Sequence, residues 1–274
     1  MMIQKHEAHE LPSALEKLHE LKTQLQGKTP AVFLDYDGCL TPIVKRPEMA
    51  VLSDYMRAAL QDLASVTKVA VVSGRDRQNV EQLVKLDNLY FAGSHGFDIS
   101  GPDGMASEPG GAKAALPALD KAEIILQEKL RHVAGSQVER KRYAIAVHFR
   151  NVPDEQVENV RNAVNEVLDA MPALKIGHGK KIYELKPNLD WHKGKAVLWL
   201  MEELGLNDSQ YIPLYIGDDI TDEDAFAALQ GHGIGILVGE HDDKTAATYQ
   251  LESVEEVRVF LEDLTATIKK QNNG

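Results

Sequence analysis

Four apolar runs in this chain stop abruptly at a polar tip, and that pattern restricts the fold more than any other feature. Ala31-Val32-Phe33-Leu34 ends in Asp35-Tyr36-Asp37-Gly38, and Val69-Ala70-Val71-Val72 ends in Ser73-Gly74-Arg75. Leu89-Tyr90-Phe91-Ala92 ends in Gly93-Ser94-His95-Gly96, and Leu214-Tyr215-Ile216 ends in Gly217-Asp218-Asp219. Continuous rather than alternating apolar strands are what a parallel sheet covered on both faces requires. Helical patterns over 53–65, 76–86, 192–205 and 221–229 lie between or after them. Strand, helix and strand repeated in this way imply right-handed crossovers and an open, doubly wound, Rossmann-like α/β sheet. Ligands of such sheets sit outside the carboxyl ends of the strands, where all four polar tips fall.

The middle of the chain follows different rules. After the Gly and Pro cluster from Gly101 to Gly111, a helix is expected over 113–133 and then a strand of period two, Tyr143-Ala144-Ile145-Ala146-Val147-His148-Phe149. A second helix should follow Pro153, a residue suited to a helix N-terminus, with short strands near 174–177 and 181–186. Helices beside alternating strands indicate an α+β unit with one sheet face exposed. The expected organisation is an N-terminal helix in residues 1–27, a core built from 28–103 and 188–274, and an inserted domain at 104–187. The N-terminal helix rests on Leu11, Leu15, Leu18, Leu21 and Leu25, spaced by three and four over residues 11–26. It packs on the domain behind it or receives a partner. The tail from Lys269 to Gly274 reads as a frayed end.

Composition sets the outer limits. The 274 residues suit a large core with an insertion, since chains beyond roughly 250 residues tend to split their cores. A net charge of −12 argues against a nucleic-acid or anionic-membrane surface. The lone Cys39 cannot form an internal disulfide, charges interrupt the first thirty residues, and nowhere do about eighteen apolar residues run together. The chain therefore reads as soluble and cytoplasmic; a monomer with a small molecule as its partner is the expectation, which composition itself does not decide.

Asp35 and Asp37 stand two apart at a strand end, so both can lean to one side before Gly38 permits a tight turn. Carboxylates that close repel unless a cation or a shared proton intervenes. An all-oxygen site suits Mg²⁺, and Asp218, Asp219 and Asp222 offer further carboxylates at a second tip. Asp-x-Asp-Gly alone is also a common turn; two acidic tips in one parallel sheet are hard to explain as structure. The Ser73 hydroxyl and the Gly74 amide could hold a phosphoryl oxygen, or Ser73 could cap the next helix. Lys193 begins a helix, where a cation opposes the macrodipole, so it is either solvated or a partner for carboxylates and phosphate; Lys195 competes for that role.

These motifs, in this order with an insertion between the Ser and Lys tips, resemble the haloacid dehalogenase superfamily of phosphatases with a C2-type cap. Leu34-Asp35-Tyr36-Asp37-Gly38, Thr41-Pro42-Ile43, Val72-Ser73-Gly74-Arg75, Gly93-Ser94-His95-Gly96, Val147-His148-Phe149-Arg150 and the stretch from Gly217 to Asp224 are similar to trehalose-6-phosphate phosphatases. The likeness runs from about residue 30 to 260. It implies that Asp35 is the nucleophile, forming an aspartyl-phosphate, and that Asp37 is the general acid and base. It implies Mg²⁺ held by the Asp35 carboxylate, the Asp37 main-chain carbonyl and Asp218, with phosphoryl oxygens bound by Ser73, Gly74 and Lys193. Asp222 would orient Lys193 or a metal-bound water. Glu139, Lys141, Lys180 and Glu184 in the cap match sugar-binding positions, and they could equally be an exposed sheet face. Arg75 and His95, at core tips, are expected to border the same cleft; the alternative for His95 is a loop histidine satisfied by its neighbours. One departure is visible: Cys39 stands where the family usually has Thr.

The implied reaction is hydrolysis of trehalose 6-phosphate to trehalose and phosphate. The alternatives are another sugar-phosphate phosphatase of the superfamily, acting on sucrose 6-phosphate or mannosylglycerate phosphate, and a non-catalytic sugar-phosphate sensor. A signalling receiver domain also carries strand-tip aspartates, but it lacks a large cap insertion. The charge divides unevenly, with residues 104–187 at a net +2 and the remainder at −14.

Overall fold

The computed structural model describes residues 3–179, 181–241 and 244–272. The chain divides into two compact units, Met1–Ser107 with Trp191–Gly274, and Glu108–Asp190. In chain order the first stretch carries β1 (His6–Glu7), α1 (Leu18–Gln24), β2 (Thr29–Leu34), α2 (Asp54–Ala64), β3 (Val69–Val72), α3 (Arg77–Val84), β4 (Tyr90–Gly93), β5 (Asp98–Ser100) and β6 (Ala106–Ser107). The second unit holds α4 (Leu116–Leu130), β7 (Gln137–Lys141), β8 (Ala144–His148), α5 (Asp154–Ala170), β9 (Leu174–Gly179) and β10 (Ile182–Pro187). The chain returns to the first unit with α6 (Lys193–Glu203), β11 (Tyr211–Gly217), α7 (Glu223–Leu229), β12 (Ile234–Val238), β13 (Lys244–Thr245), β14 (Tyr249–Leu251) and α8 (Val254–Asn272).

The large sheet of the first unit runs β14-β12-β11-β2-β3-β4-β5-β6. It is parallel from β14 to β4, and antiparallel β5 and β6 finish one edge. The continuous apolar runs have a direct cause. In β2, Val32 and Leu34 pack toward α2 and α8, where Leu60, Leu63, Phe260 and Leu264 lie, while Ala31 and Phe33 face α6 and α7, with Leu200, Phe226 and Leu229. Both faces are buried, so neither strand face can be polar. This is the doubly wound α/β fold expected from the strand grammar.

The N-terminal region differs from the expected helix over 11–26. Only Leu18–Gln24 is α-helical. Upstream, the Ala14 amide donates to the Gln250 carbonyl (2.8 Å) and the Gln250 amide donates to the Pro12 carbonyl (3.0 Å). Those backbone groups are spent on the sheet edge at β14, so a helix cannot begin there. Leu11, Leu21 and Leu25 are buried all the same. The tail also differs. α8 runs to Asn272 because Ile268 packs into the core, and the Gln271 amide reaches the Leu25 carbonyl. No described helix is long and apolar enough to cross a membrane.

The second unit is a four-stranded antiparallel sheet, β7-β8-β10-β9. Ile145, Val147 and Leu185 pack against Leu119, Leu126, Val160 and Val164 of α4 and α5. The opposite face follows from the pleat: Glu139 and Glu184 both pair with Ala146, and Lys141 pairs with Ala144. Three charged side chains therefore stand over two alanines.

Candidate active site

Asp35 is the first residue beyond β2, and its amide donates to the Ile216 carbonyl of β11 (2.9 Å), which fixes the tip. The Asp35 Oδ1 accepts from the Tyr36 amide (2.7 Å) and its Oδ2 lies 2.9 Å from Lys193 Nζ. Gly38 follows with φ +82°, and a Cβ there would lie 1.9 Å from Asp218 Oδ2, so only glycine lets the two acidic tips approach.

Lys193 opens α6 and is 2% exposed. Its ammonium bridges Asp35 and Asp222 (2.9 and 2.8 Å), which is why a cation is tolerated at a helix N-terminus. Asp222 is fully buried and its carboxylate is saturated. Oδ1 accepts from Lys193 and from the Tyr215 hydroxyl (2.5 Å), and Oδ2 accepts from the amides of Asp218 and Asp219 (3.1 and 3.0 Å). It thus anchors both the lysine and the backbone that presents Asp218.

Burial pushes the Asp35 carboxyl up to about 7, with Lys193 opposing that rise. Burial likewise pushes Asp218 up to about 8, and the nearby Asp35 and Asp222 add to it. Burial alone would lower Lys193, but Asp222 and Asp35 on either side hold it above the usual lysine range. Oxygens of Asp35, Asp218 and Asp222 all lie within 4.8 Å of one another. With four donors on Asp222, Asp35 and Asp218 are the two carboxylates with coordinating capacity left. An all-oxygen set under this electrostatic pressure fits a hard divalent cation.

Ser73 follows β3 and is buried; its Oγ accepts from the Arg75 amide (3.1 Å), and its own amide donates to the Ala92 carbonyl (2.9 Å). The β4 tip is braced on the same loop. The Ser94 amide donates to the Arg75 carbonyl (2.7 Å) and the His95 amide to the Ser73 carbonyl (2.9 Å). Ser94 and His95 both adopt left-handed φ, +51° and +57°. The His95 ring lies over Gly74, where a Cβ would sit 2.9 Å from its Cε1. Arg75, expected against the substrate, gives its guanidinium to Asp37 through two bonds of 2.6 and 2.7 Å. Cys39 is fully buried with Sγ 3.9 Å from Asp218 Oδ1, and burial holds its thiol well above the usual range.

The structure therefore brings Asp35, Lys193, Asp218 and Asp222 into one cluster and selects Lys193 over Lys195. In the second unit Lys141 Nζ lies 3.7 Å from Glu184 Oε1, and Glu139 pairs with His148 (2.8 Å). Lys180 lies outside the described residues. Sequence reasoning missed Tyr215 and the Glu139 partner His148. A tyrosine within an apolar strand carries no signal that separates a core ring from a hydroxyl aimed at a buried carboxylate.

The doubly wound sheet that carries this cluster shares its fold with a solved haloacid dehalogenase-like hydrolase from Bacteroides thetaiotaomicron, with a TM-score of 0.61 and 14% identity over 89% of this chain and 99% of that one. The trehalose-phosphatase family profile matches residues 33–255, and the chain belongs to that family. It is 45% identical over 266 residues to an uncharacterized glycosyl hydrolase of Mycobacterium tuberculosis, covering 95% of this chain and 20% of that protein's length. It is 42% identical to a trehalose 6-phosphate phosphatase of Zea mays, covering 92% of this chain and 74% of the relative. The Aspergillus fumigatus trehalose-6-phosphate phosphatase structure aligns with a TM-score of 0.68 and 27% identity, over 93% of this chain and 99% of that one. The chain thus spans only a fifth of the M. tuberculosis protein.

Proposed function

We propose that the protein is a Mg²⁺-dependent phosphomonoesterase that hydrolyses trehalose 6-phosphate to trehalose and phosphate. The observation that carries this reading is Asp35: a buried carboxylate at a parallel-strand tip, held by Lys193 and facing Asp218. Asp35 attacks phosphorus as the bond to the sugar oxygen breaks, and Asp37 gives that oxygen its proton. Water then attacks phosphorus of the aspartyl-phosphate, Asp37 takes the water's proton, and inorganic phosphate leaves. Lys193, the Ser73 hydroxyl and the Gly74 amide bind phosphoryl oxygens, and Asp222 orients Lys193. Asp35, Asp218 and the Asp37 main-chain carbonyl would hold Mg²⁺, which when bound neutralises charge on the phosphoryl group and nucleophile.

Glu139, Lys141, Glu184 and Lys180 are assigned to the sugar. Mixed carboxylates and ammoniums suit a polyol, whose hydroxyls both donate and accept. The assignment covers a cytoplasmic monomer acting on a small molecule, consistent with its single buried thiol. The test is phosphate release from trehalose 6-phosphate, sucrose 6-phosphate, mannosylglycerate phosphate and glucose 6-phosphate, each with and without Mg²⁺. Trehalose 6-phosphate should lead, and only with the metal; a faster rival substrate sinks the substrate assignment.

A further inference from the structure

Arg75 is fixed by groups other than Asp37. Its Nη1 donates to Asn79 Oδ1 one turn along (3.1 Å), its Nη2 donates to the Pro47 carbonyl (3.0 Å), and its guanidinium lies 5.4 Å from the centroid of the Tyr36 ring. The side chain is 13% exposed, while that of Asp37 is 40% exposed. A guanidinium is a rigid planar fork, and here its Nε and Nη2 edge meets both oxygens of Asp37. The more exposed partner is the carboxylate, and the more buried one is the arginine, which Asn79, Pro47 and the Tyr36 ring seat independently of Asp37. An arginine so occupied is badly placed to serve as a phosphate ligand.

We propose that Arg75 is the positioning residue for Asp37, holding its carboxylate in the orientation from which it exchanges protons with the leaving oxygen and the attacking water. The inference rests on the assignment of Asp37 as acid and base given above. It adds a consequence for substrate range. An alkoxide such as a sugar oxygen leaves poorly without a proton, whereas a nitrophenolate leaves readily without one. Dependence on Arg75 must therefore grow as the leaving group worsens. Misplacing a reacting group by about 1 Å costs on the order of 100-fold in rate.

The experiment compares kcat and KM for trehalose 6-phosphate and p-nitrophenyl phosphate in the wild type, Arg75→Ala, Arg75→Lys, Asp37→Asn and the Arg75→Ala/Asp37→Asn double variant. Arg75→Ala should lower kcat/KM on the sugar phosphate by about 100-fold. Its loss of kcat/KM on the aryl phosphate should be at least about tenfold smaller, because kcat/KM reports phosphoryl transfer to Asp35 and not the later hydrolysis of the aspartyl-phosphate that both substrates share. Arg75→Lys keeps the charge without the fork and should recover only part of the loss. The double variant should be no slower than Asp37→Asn alone, because both changes disable one device. Equal losses of kcat/KM on the two substrates overturn the proposal, as does an effect confined to KM or to inhibition by inorganic phosphate, or full activity in Arg75→Lys. If Arg75→Ala does not fold, Asn79→Ala, which frees one arm of the fork, must show the same substrate bias in weaker form. A wild type that hydrolyses neither ester removes the underlying assignment of function, an outcome distinct from the loss of the bias.

Discussion

The polar cluster at the strand tips of the first unit and the polar face of the second unit's sheet are built on opposite principles. At the tips, Lys193 and Asp222 are 2% and 0% exposed and every oxygen of Asp222 is matched by donors. On the sheet face, Lys141 and Glu184 are 27% and 23% exposed and stand 3.7 Å apart, and Glu139, 47% exposed, pairs with His148. A buried charge must be satisfied or it destabilises the fold, so the first cluster cannot vary one residue at a time. A half-solvated pair is worth roughly 0–1 kcal/mol, so the second can be rewritten freely. Chemistry common to many substrates belongs in the first setting, and discrimination among substrates in the second.

The contrast breaks most visibly at the nucleophile. Asp35→Asn should lower turnover by at least about 10⁴-fold on sugar and aryl phosphates alike, since removing a nucleophile disables the reaction whatever leaves. Residual activity above that level would remove Asp35 from its role. Next, Asp222→Asn puts an amide where four donors converge and leaves Lys193 with half its counter-charge. A loss of about 3–5 kcal/mol in urea unfolding is expected, because the buried lysine is left partly uncompensated. A stability near wild type would mean that Lys193 does not need Asp222.

The sheet face should behave in the reverse manner. Glu139→Ala and Glu184→Ala should each raise KM for trehalose 6-phosphate by about 10- to 100-fold, the value of one hydrogen bond to a charged group. Their thermal midpoints and their KM for p-nitrophenyl phosphate should stay close to wild type. Parallel losses on both substrates would mean that this face does not read sugar.

The same contrast explains what the sequence disclosed. The strand tips were legible because burial on both faces forces continuous apolar runs, so Asp35, Ser73 and Asp218 stand out at their ends. Lys193 could not be separated from Lys195 by sequence, since only the fold shows which one turns inward between two carboxylates. The N-terminal leucines gave the right buried positions but the wrong secondary structure. Periodicity reports burial, and the competing bonds from Pro12 and Ala14 to Gln250 depend on a strand more than 230 residues away. Arg75, at a strand tip, reads in the sequence as a residue bordering the substrate cleft; its bond to Asp37 depends on side-chain direction, which the sequence does not carry.

The smallest effect tests whether the buried cluster is built around a cation. Asp35 and Asp218, raised by burial to about 7 and about 8, bind protons in the metal-free folded chain at pH values where unfolded aspartates, near 3.8, do not. The folded state therefore holds the extra protons between about pH 4 and 8, and the contribution of these two groups to stability falls as pH rises through that window. A divalent cation competes with those protons. Mg²⁺ should thus bind more weakly as pH drops below 7, should release protons on binding at pH 7, and should raise the thermal midpoint more at pH 8.5 than at pH 5.5. Calorimetry in buffers of different ionisation enthalpy measures the protons, and melting curves with and without Mg²⁺ measure the increment. A metal-induced increment that is the same at both pH values would place the cation somewhere other than between Asp35 and Asp218.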